Sequence, residues 1–261
     1  MVRLAGGKPI LVPSVGAPSF APDFDALTRA ITPRTRGIII NSPSNPSGAV
    51  YGHAVLAKIG ELTEAHDLFI ISDDIYRHLV YGEAKFTSLA AVNPRLAERT
   101  LFVDGVSKAY AMTGWRIGYA AAPPAIISAM GKLQGQSTSN AAHVSQIAAL
   151  AALTGDQKCV EDMRQQFDKR RKLMFDRLSA IDGVNCPEPH GAFYAFPDVS
   201  AYAGAKTEAG TTLEDDVQLC EYLVTDANIA LVPGTGFGAP GCVRLSYACS
   251  ESQIEKGIER L

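Results

Sequence analysis

Short apolar runs alternate with helical patterns through the first half of the chain. RGIIIN (36–41), LFIIS (68–72) and TLFVDG (100–105) are apolar stretches of strand length bounded by turn-forming residues, and RIGYAA (116–121) reads as a further strand. RGIIIN reads as a buried strand. Between the first two runs, HAVLAKIGELTEAH (53–66) repeats its apolar residues Val55, Leu56, Ile59 and Leu62 at helical spacing. Strand, helix, strand in that order predicts a βαβ unit, and so a mainly parallel sheet covered by helices. Helical pattern then dominates from Pro124 to about Ile181 and stops at Asp182-Gly183. Beyond it, HGAFYAFP (190–197) and CVRLSYA (242–248) read as strands, DDVQLCEYLVTDA (215–227) as a helix, and the segment 201–212 as a Gly/Thr/Ala-rich loop. This α+β succession predicts a second, smaller domain, with residues 1–165 in the larger domain and 166–261 in the smaller.

Composition narrows the possible partners. With 261 residues, 47% of them apolar, the chain can bury a real core. A formal charge of −3 with no run of like charges gives no footprint for nucleic acid or an acidic membrane surface, so small molecules are the expected partners. No apolar stretch reaches membrane-spanning or signal-peptide length, and a cytoplasmic location is expected. The five cysteines are scattered without metal-site spacing and read as reduced, structural thiols; His53, His66, His78, His143 and His190 show no ligand spacing either.

Candidate chemistry lies at the carboxyl ends of the predicted strands, where open α/β sheets place their ligands. RGIIIN is followed by SPSNPSG with Asn45, LFIIS by DDIYRHLVY with Asp73 and Tyr76, and LFVDG by VSKAYAMTGWR with Ser107, Lys108 and Arg116. Singly, each has a plainer reading: Asn45 with Pro46 and Gly48 builds a turn, Asp73 caps the next segment, Lys108 or Arg116 is a solvated charge. Together they match what pyridoxal phosphate requires. That cofactor needs a lysine amine for an imine, an acidic partner for its ring nitrogen, donors for its phenolic oxygen, and a cationic or hydroxyl cradle for its phosphate. Lys108 suits the first role and also acts as general base and acid, Asp73 the second, Tyr76 and Asn45 the third, and Ser107 with Arg116 the fourth. No metal ligands are implied.

SPSNPSG, SDDIYRHLVY, GVSKAYAMTGWRIGY, PHGAFYAFP and RLSYA, in this order, resemble the fold-type I pyridoxal phosphate aminotransferases of class I, most nearly their bacterial aspartate aminotransferase branch. The resemblance runs from the first residue to the last, and the lysine segment is its most specific part. It implies an α/β fold in which a large domain with a mainly parallel sheet is flanked by helices and joined to a smaller α+β domain. It implies Lys108 as the Schiff-base lysine, Asp73 as ring-nitrogen partner, Tyr76 and Asn45 at the phenolic oxygen, Ser107 and Arg116 at the phosphate, and Arg244 at the substrate α-carboxylate, with Asn45 also on the substrate side. A cis Asn45-Pro46 bond and a homodimer when complete are further implications. The implied reaction is ping-pong transfer of an amino group from an L-amino acid, aspartate first, to a 2-oxo acid, 2-oxoglutarate first. Alternatives within the fold are an aromatic or prephenate aminotransferase or a lyase; outside it, a non-catalytic fragment or a sensor domain.

The resemblance also implies segments absent from this sequence. VRLAGGKPILVP corresponds to a strand well inside the family's large domain, so the glycine-containing phosphate loop and the aromatic that stacks on the cofactor are missing upstream. Apolar sheet faces are then expected to be exposed, with poor solubility and weak cofactor retention if the polypeptide exists alone. Among other positions, Ser139 or Asn140 is expected to cap the helix NAAHVSQIAALAAL, Trp115 to pack in the core, and Phe193 and Tyr194 to pack in the core or line the pocket.

Overall fold

The computed structural model of the protein describes residues 1–14, 20–207 and 209–261, so the predicted loop 201–212 falls outside the description at one position. The strands β1 (Gly37–Asn41), β2 (Phe69–Asp73), β3 (Thr100–Gly105) and β4 (Gly118–Ala121) form one sheet in that order. β1, β2 and β3 run parallel and β4 is antiparallel to β3. The helices are α1 (Phe24–Ala30), α2 (His53–Ala65), α3 (Leu89–Val92), α4 (Pro124–Ser137), α5 (His143–Thr154), α6 (Lys158–Ser179), α7 (Asp216–Thr225) and α8 (Glu251–Ile258). A second antiparallel sheet contains β5 (Tyr194–Ala195), β6 (Val232–Pro233) and β7 (Val243–Ser246), with β7 in the middle.

The apolar face of α2 packs on the first sheet. Leu56 and Ile59 of the helix meet Ile40 of β1 and Ile70 of β2, closed off by Leu89 and Leu96. Each such side chain contributes about 1.5–3 kcal/mol on leaving water. Apolar surface stays open elsewhere: Ile39 of β1 is 57% exposed, α4 buries none of its residues, and Val144, Ile147 and Leu150 of α5 face solvent. The exposure of Ile39 is of the kind expected of the sheet, and with only Ile40 of β1 buried it corrects the reading of RGIIIN as a buried strand. The second cluster joins the chain's two halves: Tyr76, Leu79 and Tyr81, from the segment after β2, pack with Phe167, Met174 and Leu178 of α6 and with Leu245 and Tyr247.

Four local expectations are corrected. Arg116 does not open a strand; it ends the 3₁₀ turn Thr113–Trp115 in the left-handed region (φ 52°), so β4 starts at Gly118. Trp115 lies in that turn outside the sheet and is 43% exposed rather than in the core. HGAFYAFP contributes only two strand residues, because its first backbone groups bond to loops: His190 and Gly191 N–H donate to Gly48 O at 3.0 and 2.8 Å, and Ala192 N–H donates to Leu79 O at 2.9 Å. Helix α5 begins after Ala142, which offers no side-chain cap, while Ser139 sits upstream at φ 64°.

Candidate active site

Three parallel strands end side by side, and each releases a chemistry-bearing loop. Asn41 pairs in register with Asp73, and Asp73 with Val103, so the loops after β1, β2 and β3 leave from one edge of the sheet. Asn41 ties two of them together: its Nδ2 donates to the Asp73 carbonyl at 3.0 Å, and its Oδ1 accepts from Asn45 N–H at 2.8 Å. The loop that follows contains cis bonds at Ser42-Pro43 and, as the resemblance implied, at Asn45-Pro46. Gly48 turns it back at φ 69°, where a Cβ would come within 2.7 Å of the Pro189 side chain. That close approach holds the Asn45 loop against the segment leading into Tyr194.

Lys108 follows β3 in a turn closed by Ala111 N–H donating to Lys108 O at 3.2 Å. Its Nζ lies 5.6 Å from the Tyr76 ring centroid and 5.7 Å from that of Phe193. The Tyr76 and Tyr194 hydroxyls are 3.0 Å apart. Burial drives the Tyr76 phenol well above its ordinary value, the Tyr194 bond adds to the rise, and the Arg244 guanidinium pulls against it. Tyr76 therefore stays a protonated donor across the physiological range. Arg244, on β7, lies between two aromatic faces, 4.7 Å from the Tyr194 centroid and 5.1 Å from that of Phe237. Its NH1 donates to Asn45 Oδ1 at 2.8 Å. Because arginine only donates, this bond fixes the Asn45 amide and leaves its Nδ2 to donate elsewhere.

Asp73 is half-buried. Burial raises its carboxyl pKa, the Ile75 N–H bond at 3.2 Å lowers it, Asp104 raises it and Lys108 lowers it, with a net rise. The Ile75 bond uses one of about four acceptor sites on the carboxylate, so capacity remains for a further donor. Ser107 is half-buried beside Lys108, whereas Arg116 is exposed and donates from NH1 to Thr113 O at 2.8 Å. Among the described residues no bond links Ser107 or Arg116 to the cluster of Lys108, Asp73, Tyr76, Asn45 and Arg244. Asn41 and Phe237 also contact the candidate residues and were not found from sequence; the one available signal for Asn41 was a polar residue ending an apolar strand.

Behind Asp73 lies a second acid. Asp74 is buried, and Ser72 Oγ donates to its Oδ1 at 2.7 Å. Burial pushes the Asp74 carboxyl up to about 6, the Ser72 bond opposing and Asp104 and Asp73 reinforcing the rise. An unfolded aspartate titrates near about 3.9, so the folded protein binds more protons between that pH and about 6. Stability therefore falls as pH climbs through this window. Asp74→Asn, which keeps an acceptor for Ser72, is expected to gain up to about 3 kcal/mol relative to the parent between about pH 4 and pH 7. Denaturant unfolding of both proteins across that range checks this, and a stability difference independent of pH contradicts it.

Known proteins resemble this chain along its whole length. The profile of the family "Aminotransferase class I and II" matches residues 1–261. An aspartate aminotransferase of Geobacillus stearothermophilus is 46% identical over 263 residues, covering 100% of this chain and 65% of that protein. An aspartate/prephenate aminotransferase of Cereibacter sphaeroides is 44% identical over 262 residues, covering 100% and 66% respectively. The crystal structure of the aspartate aminotransferase from Rhizobium meliloti superposes with a TM-score of 0.95 at 43% identity, over 99% of this chain and 65% of that one. The chain thus spans just under two thirds of the length of these relatives. Matched along its whole length, the chain belongs to the aminotransferase class I and II family.

Proposed function

We propose that this chain supplies most of a transaminase site that moves an amino group from an L-amino acid to a 2-oxo acid, with aspartate and 2-oxoglutarate as the favoured pair. The observation that carries this reading is the position of the Lys108 amine, against Tyr76 and Phe193 and near Asp73, with Arg244 held by Asn45, Tyr194 and Phe237. The residues fit pyridoxal phosphate: Asp73 keeps acceptor capacity for a ring N–H, and Asn45 keeps its amide donor. When bound, that group supplies an aldehyde with which amines condense and a ring that takes up the electron pair left by a deprotonated α-carbon.

The chain's own residues do the rest. Arg244 offers a planar fork to the α-carboxylate that all amino acids share, and its two flanking rings hold the fork in one orientation. That would place the α-hydrogen for Lys108 Nζ, which would take the proton from the substrate Cα as a base and deliver it to the cofactor's C4′ as an acid. Asp73 holds a proton at the ring nitrogen, and Tyr76 with Asn45 donates to the phenolic oxygen. Ser107 and Arg116 are assigned to the phosphate. Because one carboxylate grip serves both substrates, the first oxo acid leaves before the second arrives, which gives ping-pong kinetics. Residues 1–165 would form the cofactor-binding domain and 166–261 the smaller one, in a cytoplasmic homodimer. Among the described residues, no helix is long and apolar enough to cross a membrane.

A second reading, transfer to prephenate, is favoured by the aspartate/prephenate aminotransferase of Cereibacter sphaeroides. Supplying pyridoxal phosphate, 2-oxoglutarate or prephenate, and a panel of amino acids separates the two. Glutamate formed from aspartate is the expected result, prephenate consumption favours the second reading, and no oxo acid from any amino acid contradicts both.

A further inference from the structure

Asp104 lies four residues before Lys108, is 9% exposed, and is bonded on every side by groups from the cofactor loops. Its Oδ2 accepts from Arg77 Nε at 2.5 Å and from Tyr119 Oη at 2.9 Å, and its Oδ1 accepts from Gly105 N–H at 2.7 Å. Each partner belongs to a different strand end. Arg77 follows Tyr76 directly, in a turn where its N–H donates to Asp74 O at 2.8 Å. Tyr119 pairs with Asp104 across the β3–β4 ladder, three residues after Arg116. Gly105 begins the turn that delivers Lys108, and it is packed so closely that a Cβ there would lie 3.1 Å from Gly118 Cα. One carboxylate thus fastens the segments carrying Tyr76, Lys108 and Arg116.

The geometry points to Asp104 as a positioning residue of the cofactor site, fixing the Lys108 turn against the Asp73 and Arg116 segments and placing one negative charge, shared with Arg77, behind Lys108 and Asp73. This inference rests on the reading of Lys108 and Asp73 as cofactor residues. Three acids, Asp73, Asp74 and Asp104, crowd this corner. The other charged or titratable groups around Asp104 are Arg77 and His78 from the segment after β2, Tyr110 from its own loop, and Tyr119 from β4, with Lys108 acting with it on Asp73. Asp104 works against ionisation of both neighbouring acids, and Arg77 works the other way on Asp74. Burial opposes the charge on Arg77, but the contacts with Tyr119 and Asp104 raise its pKa overall.

A charge in this position has a sign that a structural prop lacks. The test follows the visible absorption of pyridoxal phosphate bound to the protein as pH is varied, in the parent, Asp104→Asn and Arg77→Gln. Loss of the negative charge in Asp104→Asn disfavours the protonated chromophore and is expected to lower its midpoint by about half a pH unit or more. Loss of the cation in Arg77→Gln is expected to raise it. Opposite shifts support the inference; unchanged midpoints, or shifts in the same direction, overturn it. If Asp104→Asn fails to fold, the half-exposed Arg77 variant decides alone: an upward midpoint supports the role and an unchanged or lowered one refutes it. If the parent itself shows no cofactor absorption at Lys108, the reading of the site fails first, a result distinct from either outcome with the variants.

Discussion

Lys108→Ala is expected to lower amino-group transfer by about four orders of magnitude, the upper end of what one positioned acid–base group contributes. In the proposed reading the side chain has two roles at one place, nucleophile towards the cofactor aldehyde and carrier of the α-proton, and among the described residues no second lysine lies over the Tyr76 and Phe193 rings. Lys108→Arg separates charge from chemistry. It keeps a cation near Asp73 but has no amine that can become neutral and nucleophilic, so it is expected to be as inactive as the alanine variant. Initial-rate assays with saturating pyridoxal phosphate check both, and near-normal turnover in either variant contradicts the role given to Lys108.

Arg244→Lys is expected to raise KM for amino acid and oxo acid alike by about a hundredfold, in line with the cost of truncating one partner of a desolvated charge pair. The structure explains why lysine cannot substitute. The guanidinium is a flat group between the Tyr194 and Phe237 rings, anchored at one corner by Asn45 Oδ1. An ammonium offers neither the second prong nor the stacking face. The effect should be the same for aspartate, glutamate and an aromatic amino acid, because the α-carboxylate is common to all. A loss confined to dicarboxylic substrates would move Arg244 from the α-carboxylate to the side-chain subsite.

The sheet was legible because its strands are short apolar runs bounded by turn residues, and one helix of clear period lies between the first two. Thr100–Gly105 is found where TLFVDG placed it. Strand ends were less legible where the backbone leaves the extended region, as at Arg116, or where a segment's backbone bonds go to distant loops, as at His190 and Gly191. The candidate residues were recognisable by type and order, since a lysine, an acid, a phenol and an amide each follow a predicted strand. Their couplings were not. The Arg244–Asn45 bond spans 199 positions and the Tyr76–Tyr194 contact spans 118, and no local pattern records either. Asp104 was hidden for the same reason: in sequence it ends an ordinary strand, and only the fold brings Arg77 and Tyr119 to it.

Borohydride reduction of the protein with added pyridoxal phosphate, followed by peptide mass mapping, tests the assignment of Lys108 most directly. A phosphopyridoxyl adduct confined to Lys108 is the expected result, since among the described residues this is the one amine that lies over the Tyr76 and Phe193 rings, near Asp73. Labelling spread over surface lysines, or none at all, would contradict a cofactor site built on that residue.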